Sequence, residues 1–379
     1  MVNGGCVIKL LRVRASNYKN CCDDFTIDFM AKSKKTSEDK EYELQEIAEG
    51  LYTFSTVAFV GKNASGKTSA IELLDSCYSI LGQFRLEDNR YIYNNVLLEI
   101  IFFHEGYIYK YNTVLTTDTS FSGKVNFSQQ RIYRKRYYKS KLKEIYSHDG
   151  FKEITGFGEL PEDTSVLFFV LKKKAPRAVY FDCNGEGADT YGLMFRAMKT
   201  YEISEDILLK VIRIFDDKIK SLKMLEENRY ELVYDCYKKE LSHIELEHML
   251  SSGTTKGVLL YIYVAAALKN GFDLLIDEVE NHFHKTLVEN IIILFKDKTV
   301  NKKSATLVFT THYCELLDLF NRQDNIWIAK SGDKIYLDNM YERYNNRPEL
   351  LKSRRFYSNA FDTAVNYDDL MALKKELMR

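Results

Sequence analysis

Eight residues near the amino terminus have the types and spacing that bind a nucleotide phosphate. They are Gly61, Lys62, Asn63, Ala64, Ser65, Gly66, Lys67 and Thr68, and they match the pattern GxxxxGK[ST] at every fixed position. Glycines allow backbone N–H groups to point inward around an anion, and a helix that begins there adds the positive end of its dipole. We expect Lys67 to reach the β- and γ-phosphates, Thr68 to bind Mg²⁺, and Ser69 to complete the nucleotide-binding segment.

Two carboxylates follow a short apolar strand farther along the chain. The run Asp273 to Glu278 is Asp-Leu-Leu-Ile-Asp-Glu, so Asp277 and Glu278 stand at its carboxyl end. Ligands bind at the carboxyl ends of strands in α/β sheets. We therefore expect Asp277 to help hold Mg²⁺ and Glu278 to polarise an attacking water as a general base. A strand that ends in acids is common by itself, and the phosphate-binding loop upstream is what favours this interpretation.

A second serine–glycine turn lies between these two motifs. The segment Leu250 to Lys256 is Leu-Ser-Ser-Gly-Thr-Thr-Lys and opens a predicted helix. Such a turn is a further anion site, and its candidate phosphate ligands are Ser251, Ser252, Gly253 and Lys256. Serine is also a favoured helix N-cap, so a structural role for Ser251 stays open. His312 directly follows another apolar strand, and a histidine in that position can equally be structural.

The order of phosphate loop, serine–glycine turn, acid pair and histidine resembles that of ABC-type ATPases. Leu250, Ser251 and Gly253 match the LSGGQ-like signature of that class, whereas Ser252 and Thr254 depart from its commonest form. The resemblance covers about residues 1–115 and 245–340. It implies an α/β fold, in which an ABC-type P-loop ATPase head with a mixed sheet flanked by helices carries an inserted α+β subdomain.

The same resemblance implies how the site works. His312 is expected to contact the γ-phosphate, and the signature is expected to face the γ-phosphate held by an opposite subunit. ATP and Mg²⁺ would thus be enclosed in a homodimer, or in a higher oligomer built from it. We can assign no glutamine loop with certainty, and Gln83 is the candidate that the sequence offers.

The residues around the acid pair are similar to those of RecF-like and overcoming-lysogenisation-defect (OLD) type ATPases, which include ATPase subunits of phage-defence and abortive-infection systems. The run is Asp277-Glu278-Val279-Glu280-Asn281-His282-Phe283-His284, and His284 stands where transporter and SMC heads have aspartate. The strand pattern from Ile8 to Phe29, with Asn17-Tyr18-Lys19 between the strands, fits the same group.

This group implies an ATPase that converts ATP and water to ADP and phosphate and controls a partner. The stretch after His312 is too short for the Toprim nuclease that many OLD proteins carry, so we expect none and expect a separate effector, a nuclease or a toxin. Two alternatives stay open: a RecF-like DNA-binding ATPase in DNA repair, and a scaffold that uses ATP only to dimerise.

Composition limits the remaining possibilities. The 379 residues include 54 Lys+Arg and 54 Asp+Glu, so the net charge is zero and any nucleic-acid contact must come from a local patch. Residues 131–143 are such a patch, with tyrosines between the cations, although a solvated basic surface has the same pattern. No apolar run is long enough to cross a membrane, and the cysteines form no metal-binding or disulfide pattern, so we expect a cytoplasmic protein with reduced thiols.

Strands and helices must bring these motifs together. Apolar runs predict strands at 56–60, 272–276 and 306–309, and helical spacing predicts a helix from Thr68 to Leu81. A hairpin is predicted over 96–114 and an edge hairpin over 325–337. We divide the chain into an N-terminal part of the head (1–116), an inserted partner-binding arm (117–245), a C-terminal part of the head (246–340) and a helical tail (341–379).

Overall fold

The computed structural model describes residues 8–86, 91–118, 123–182, 189–226, 229–281, 283–344, 351–361 and 367–378. The strands are β1 (Lys9–Ser16), β2 (Phe25–Asp28), β3 (Leu44–Ala48), β4 (Leu51–Phe54), β5 (Thr56–Val60), β6 (Val96–His104), β7 (Tyr107–Thr117), β8 (Val125–Arg136), β9 (Lys152–Ile154), β10 (Ala178–Asp182), β11 (Ile219–Met224), β12 (Arg229–Tyr234), β13 (Lys238–Ser242), β14 (Asp273–Asp277), β15 (Leu307–Thr311), β16 (Ile326–Ser331) and β17 (Ile335–Asn339). The α-helices are α1 (Lys67–Gln83), α2 (Leu167–Leu171), α3 (Thr190–Tyr201), α4 (Glu205–Phe215), α5 (His243–Met249), α6 (Ser252–Asn270), α7 (Lys285–Lys296), α8 (Met340–Arg343), α9 (Lys352–Tyr357) and α10 (Tyr367–Leu377).

The central sheet has the strand order β10-β14-β15-β5-β16-β17. Its first five strands are parallel, and β17 returns antiparallel to β16 as the predicted edge hairpin. Every residue of β5, β14 and β15 is buried, which explains their nearly continuous apolar runs. Alternate side chains enter two cores: Ala58 and Phe309 pack with α6 and α7, while Val57 and Val308 pack with α1. The predicted α/β fold, a mixed sheet with helices on both faces, is confirmed.

A second sheet covers the other side of α1. Its order is β2-β1-β6-β7-β8-β9, and all its pairings are antiparallel. Ile71 and Leu74 of α1 share one hydrophobic cluster with Val13, Ile100 and Tyr111 of this sheet. Helix α1 is therefore held between two sheets, and its amino end, where the phosphate loop lies, is fixed from both sides.

The chain between residues 117 and 245 divides into two structural parts. Strand β8 pairs with β7 along most of its length, and β10 is an edge strand of the central sheet. The boundary that we placed at residue 117 therefore falls inside a sheet, because the pairing of neighbouring strands continues across it. The later part is an α+β unit, in which α3, α4, α5 and the sheet β11-β12-β13 pack with α6 in one hydrophobic cluster.

Local predictions near the site agree with the structure. Strand β5 has the predicted limits, and α1 begins one residue before and ends two residues after the predicted helix. The polar segment Ala31 to Glu43 ends in a π turn at Asp39–Glu43, where the buried Arg322 binds Asp39 and both ends of the turn are buried. Across the described ranges, no helix has the length and apolar character that crossing a membrane requires.

A candidate nucleotide site

The phosphate loop packs directly against the β16–β17 hairpin. Gly66 has a φ of +95°, and a Cβ there would lie 2.3 Å from Cγ2 of Ile335. A Cβ on Gly61 would lie 2.5 Å from the carbonyl oxygen of Ala329. Gly61 is therefore required for the close approach of the loop to the backbone of β16, and Gly66 is required for its left-handed conformation and for its contact with the Ile335 side chain.

Lys67 lies folded back over this loop. Its Nζ donates to the carbonyl oxygens of Gly61 and Lys62, each at 3.1 Å. Burial lowers the pKa of Lys67, and the nearby carboxylates of Glu280, Glu278 and Asp277 oppose that shift. The ammonium is thus partly desolvated and points into a loop whose own carbonyls are its hydrogen-bond acceptors.

Thr68 and Asp277 are joined by a hydrogen bond. The Thr68 hydroxyl donates to one carboxylate oxygen of Asp277 at 2.8 Å, and the Thr310 hydroxyl donates to the other at 2.6 Å. A hydroxyl and a carboxylate are hard oxygen donors, which Mg²⁺ prefers, and protein sites that bind nucleotides commonly supply only one or two of its ligands. The two side chains therefore fit a magnesium ion, which they would hold and which would supply positive charge at this point.

Glu278 and His312 face each other beside Lys67. Glu278 has a φ of +48°, an uncommon conformation for a residue other than glycine. Its N–H donates to the Thr310 hydroxyl at 2.6 Å, and its Oε2 accepts from Asn281 Nδ2 at 2.5 Å. His312 Nε2 lies 3.8 Å from Glu278 Oε1, and His312 Nδ1 lies 3.4 Å from Lys67 Nζ. The imidazole therefore stands between the ammonium and the carboxylate.

These residues surround one cavity of about 330 Å³. Its lining consists of Asn63, Ala64, Ser65, Gly66, Lys67, Thr68, Ser69, Glu278, His312 and Ile335. The volume is within the usual range for small-molecule sites. Segments that are far apart in the chain thus converge on the cavity, and Glu278 and His312 both retain solvent exposure toward it.

The serine–glycine turn lies elsewhere. Ser251 is exposed at the amino end of α6, where its Oγ accepts the N–H of Thr254 at 3.1 Å as an N-cap. Ser251, Gly253 and Lys256 are absent from the described lining of the cavity. The side chain of Ser252 is not among the described parts, nor is His282. Among the described residues of one chain, the serine–glycine turn and the phosphate loop do not line a common cavity.

Gln83 does not fit a glutamine loop that senses the nucleotide. It is the last residue of α1, whereas the phosphate loop precedes the first residue of that helix. A helix of 17 residues is roughly 25 Å long at 1.5 Å per residue, so Gln83 lies far from the cavity. Gln83 is therefore not placed to contact a nucleotide in this cavity, because it lies at the end of α1 opposite to the phosphate loop.

Several residues that shape the site were not singled out from the sequence. Thr310 holds both Asp277 and the backbone of Glu278, Asn281 binds the Glu278 carboxylate, and Glu280 accepts the N–H of His312. Ile335 closes one side of the cavity. Glu280 and Asn281 belong to the run after the acid pair, so their proximity in sequence was the available signal.

The basic segment 131–143 has mixed surroundings. Lys135 donates to the carbonyl oxygens of Glu144, Ser147 and Asp149 at 2.9, 2.9 and 3.4 Å, which ties a surface loop to β8. Arg131 and Arg136 are exposed. Part of this segment is thus structural, and part is available at the surface.

The chain matches a known protein family over most of its length. Residues 57–318 match the family model described as "AAA domain, putative AbiEii toxin, Type IV TA system". The chain belongs to this AAA-domain family. The match includes the phosphate loop, the serine–glycine turn, the acid pair and His312, so the P-loop ATPase character of the fold is shown.

Solved structures also resemble the AAA-domain chain. One is entitled "Crystal structure of the SmcHead bound to the C-winged helix domain of ScpA", with 12% identity and a TM-score of 0.43 over 88% of this chain and 98% of that chain. Comparison with the curated proteins gives no match.

Proposed function

We propose that this AAA-domain protein is an ABC-type ATPase that hydrolyses ATP to ADP and phosphate. The observation that supports this most directly is the convergence of Lys67, Thr68, Glu278 and His312 on one cavity, with Asp277 hydrogen-bonded to Thr68 beside it. These side chains come from the start of α1, the end of β14 and the end of β15. Together they supply a cation, a metal site, a general base and a further γ-phosphate contact.

Each group has one task in this proposal. Lys67 leaves the loop carbonyls and binds the β- and γ-phosphates, while Thr68 and Asp277 hold Mg²⁺, which neutralises phosphate charge. Glu278 accepts a proton from the water that attacks the γ-phosphorus, and ADP leaves with the electron pair of the broken P–O bond. Asn281 orients the Glu278 carboxylate through its hydrogen bond at 2.5 Å. His312 donates to the γ-phosphate.

A second copy of the chain completes the site in this proposal. The exposed amino end of α6, with Ser251, Ser252, Gly253 and Lys256, would face the γ-phosphate bound by the partner copy. Its position outside the cavity of its own chain supports an arrangement across two copies. Helix amino ends attract anions through their unpaired N–H groups.

The function is tested by comparing Glu278→Gln with Lys67→Ala. We expect Glu278→Gln to bind MgATP and to dimerise while turnover falls by about 10²–10⁴-fold, the usual contribution of a general base. Lys67→Ala should lose MgATP binding. Calorimetry, light scattering and phosphate release measure these three properties. Glu289→Gln is the matched control, since Glu289 is a helix-surface residue that faces Lys285.

Three results would oppose the proposal. A wild-type chain that stays monomeric and shows no affinity at saturating MgATP excludes the nucleotide sandwich. Normal turnover in Glu278→Gln excludes the base assignment, and binding with no turnover in the wild type favours a scaffold that uses ATP only to dimerise.

We further propose that the ATPase controls a separate effector, a nuclease or a toxin, in antiphage defence or abortive infection. The family description, which names a toxin and a toxin–antitoxin system, supports this role. Co-expression with the product of a neighbouring gene, followed by measurement of phage plating and of ATP-dependent complex formation, tests it.

A RecF-like DNA-binding ATPase is the second candidate, favoured by the exposed arginines Arg131 and Arg136 of β8. It predicts ATP-dependent DNA binding that weakens steeply with salt and that is lost in Arg131→Glu. Arg355→Glu, on α9 and outside this segment, is the control.

A further inference from the structure

Glu280 occupies an unusual position behind the nucleotide cavity. It follows Glu278 by two residues, is only 9% exposed, and does not line the cavity. One of its carboxylate oxygens accepts the backbone N–H of His312. The other is buried and has no hydrogen-bond partner among the described residues.

The bond from Glu280 is the last of a series that joins two loops. Glu278 N–H donates to the Thr310 hydroxyl at 2.6 Å, and Val279 N–H donates to the Thr310 carbonyl at 3.0 Å. The Glu280 carboxylate then accepts the backbone N–H of His312, the first residue after β15. Three successive hydrogen bonds thus join the loop after β14 to the end of β15. The bond from the Glu280 side chain is the last of them and holds the backbone of His312.

The position of the His312 backbone determines where the imidazole lies. The ring of His312 has Lys67 Nζ at 3.4 Å on its Nδ1 side and Glu278 Oε1 at 3.8 Å on its Nε2 side. A backbone shift at His312 would move the ring away from both groups at once. The hydrogen bond from Glu280 is therefore placed to maintain the alignment of the ammonium, the imidazole and the general base.

Stability alone does not explain a carboxylate here. A buried acceptor without a donor costs free energy, and each such atom in a native structure calls for an explanation, of which a role in catalysis is one. The contrast is Glu43, which is fully buried but accepts from Lys296 Nζ at 2.8 Å and from the N–H of Asn321 at 2.6 Å. Burial lowers the pKa of Lys67, and the charge of Glu280 is the strongest of three nearby carboxylate charges that oppose this shift.

We propose that Glu280 is a positioning residue for ATP hydrolysis: it holds the backbone of His312 so that the imidazole stands between Lys67 and Glu278. This inference rests on the proposed ATPase function. Glu280 does not contact the cavity and takes no proton from the attacking water. Its effect on turnover passes through His312.

A double-mutant cycle tests this dependence on His312. Glu280→Ala should lower kcat by about 10²-fold, the size of effect expected when a catalytic group is displaced by about 1 Å, while MgATP affinity changes little. His312→Ala should lower kcat as well, and the Glu280→Ala/His312→Ala double variant should be no slower than His312→Ala alone. Glu280→Gln keeps an oxygen acceptor for the His312 N–H and should lose far less turnover than Glu280→Ala.

Glu43→Gln is the matched control. It also removes a buried carboxylate, but neither Glu43 nor its partner Lys296 lines the cavity. It should lower the melting temperature without the change in kcat. The proposal is overturned if the double variant is slower than His312→Ala by the full factor seen in Glu280→Ala. It is also overturned if kcat in Glu280→Ala equals that of the wild type.

A measurement without turnover separates this inference from the ATPase proposal. The ring resonances of the seven histidines can be recorded by NMR in the absence of nucleotide, and His312→Ala identifies that of His312. We expect Glu280→Ala, but not Glu43→Gln, to shift this resonance. An unchanged resonance overturns the positioning role even if the chain hydrolyses ATP, and a shifted one supports it even if hydrolysis fails.

Discussion

Gly66 shows how one residue of the phosphate loop depends on a distant hairpin. Its φ of +95° suits glycine, and the place where a Cβ would stand is filled by Ile335. A side chain at this position costs about 1–2 kcal/mol for the left-handed backbone alone. The steric conflict adds to that cost, so the loop would have to move.

We therefore expect Gly66→Ala to lose MgATP affinity by at least tenfold, equivalent to about 1.4 kcal/mol. Gly332→Ala is the control, because a Cβ there would lie 3.9 Å from the nearest atom, Tyr336 Cε2, and no positive φ is involved. Calorimetric titration of both variants measures the difference. Equal affinities would show that the loop does not hold the phosphates.

The buried side chain of Lys67 should make MgATP affinity depend on pH. Its burial lowers the pKa below the ordinary value of 10.5, so the side chain loses its charge at a lower pH than an exposed lysine does. Phosphate binding needs the charged form. MgATP affinity should therefore be retained at neutral pH and should fall with rising pH as Lys67 deprotonates, before pH 10.5 is reached.

Titration of the dissociation constant between neutral and alkaline pH checks this expectation. Lys67→Met should bind weakly at every pH and should lack the alkaline decrease, since no ammonium remains to titrate. A parallel decrease in both proteins would assign the pH effect to another group.

At the scale of elements, the amino end of α6 combines two roles that a substitution can separate. Ser251 caps the helix through the N–H of Thr254. Our proposal also places this helix end against the γ-phosphate of a partner copy. Aspartate preserves a cap but adds a negative charge, whereas alanine removes the cap.

We expect Ser251→Ala to lower the free energy of unfolding by about 0.5–2 kcal/mol and Ser251→Asp to leave it nearly unchanged. Ser251→Asp should nevertheless lose ATP-dependent dimerisation, because its carboxylate would repel the γ-phosphate. Ser242→Ala, which removes the capping box of α5, should be destabilised and still dimerise. Urea unfolding and light scattering are the measurements. Normal dimerisation in Ser251→Asp would leave only the capping role.

For the whole molecule, one buried ion pair joins the two large sheets. Lys9 of β1 contacts Asp273 of β14 at 2.9 Å, with both side chains almost fully buried. Asp273 also accepts from the Tyr78 hydroxyl of α1 at 2.8 Å and from the N–H of Thr306 at 2.7 Å. The pair therefore connects the antiparallel sheet, the central sheet and the helix between them.

Lys9→Met should lower the free energy of unfolding by about 3–5 kcal/mol, because it leaves a buried carboxylate without its cation. The additional change Asp273→Asn should restore part of the loss. Lys334→Met is the control: Lys334 forms an exposed pair with Asp23 at 3.4 Å, and such pairs contribute about 0–1 kcal/mol. Denaturant titration compares the variants. A loss in Lys9→Met no larger than that in Lys334→Met would contradict the role of the pair.

The amino-acid sequence by itself determined the local elements and the chemistry at their ends. Strand β5, helix α1 and the phosphate loop between them follow from glycines, apolar runs and helical spacing within a few neighbouring residues. The same kind of pattern identified Asp277 and Glu278 at the end of a buried strand and Ser251 at the start of a helix. These features depend on neighbours in the chain, which is why they could be recognised without coordinates.

Only the tertiary structure decided which of these elements meet. The contact between Lys67 and His312 joins residues 245 positions apart, and the bonds from Glu280 and Thr310 depend on the order of β14 and β15 in the sheet. The distance of Gln83 from the cavity and the continuation of the sheet across residue 117 were also decided by the tertiary structure. Strand pairing and packing arise from burial summed over distant segments, so no local pattern specifies them.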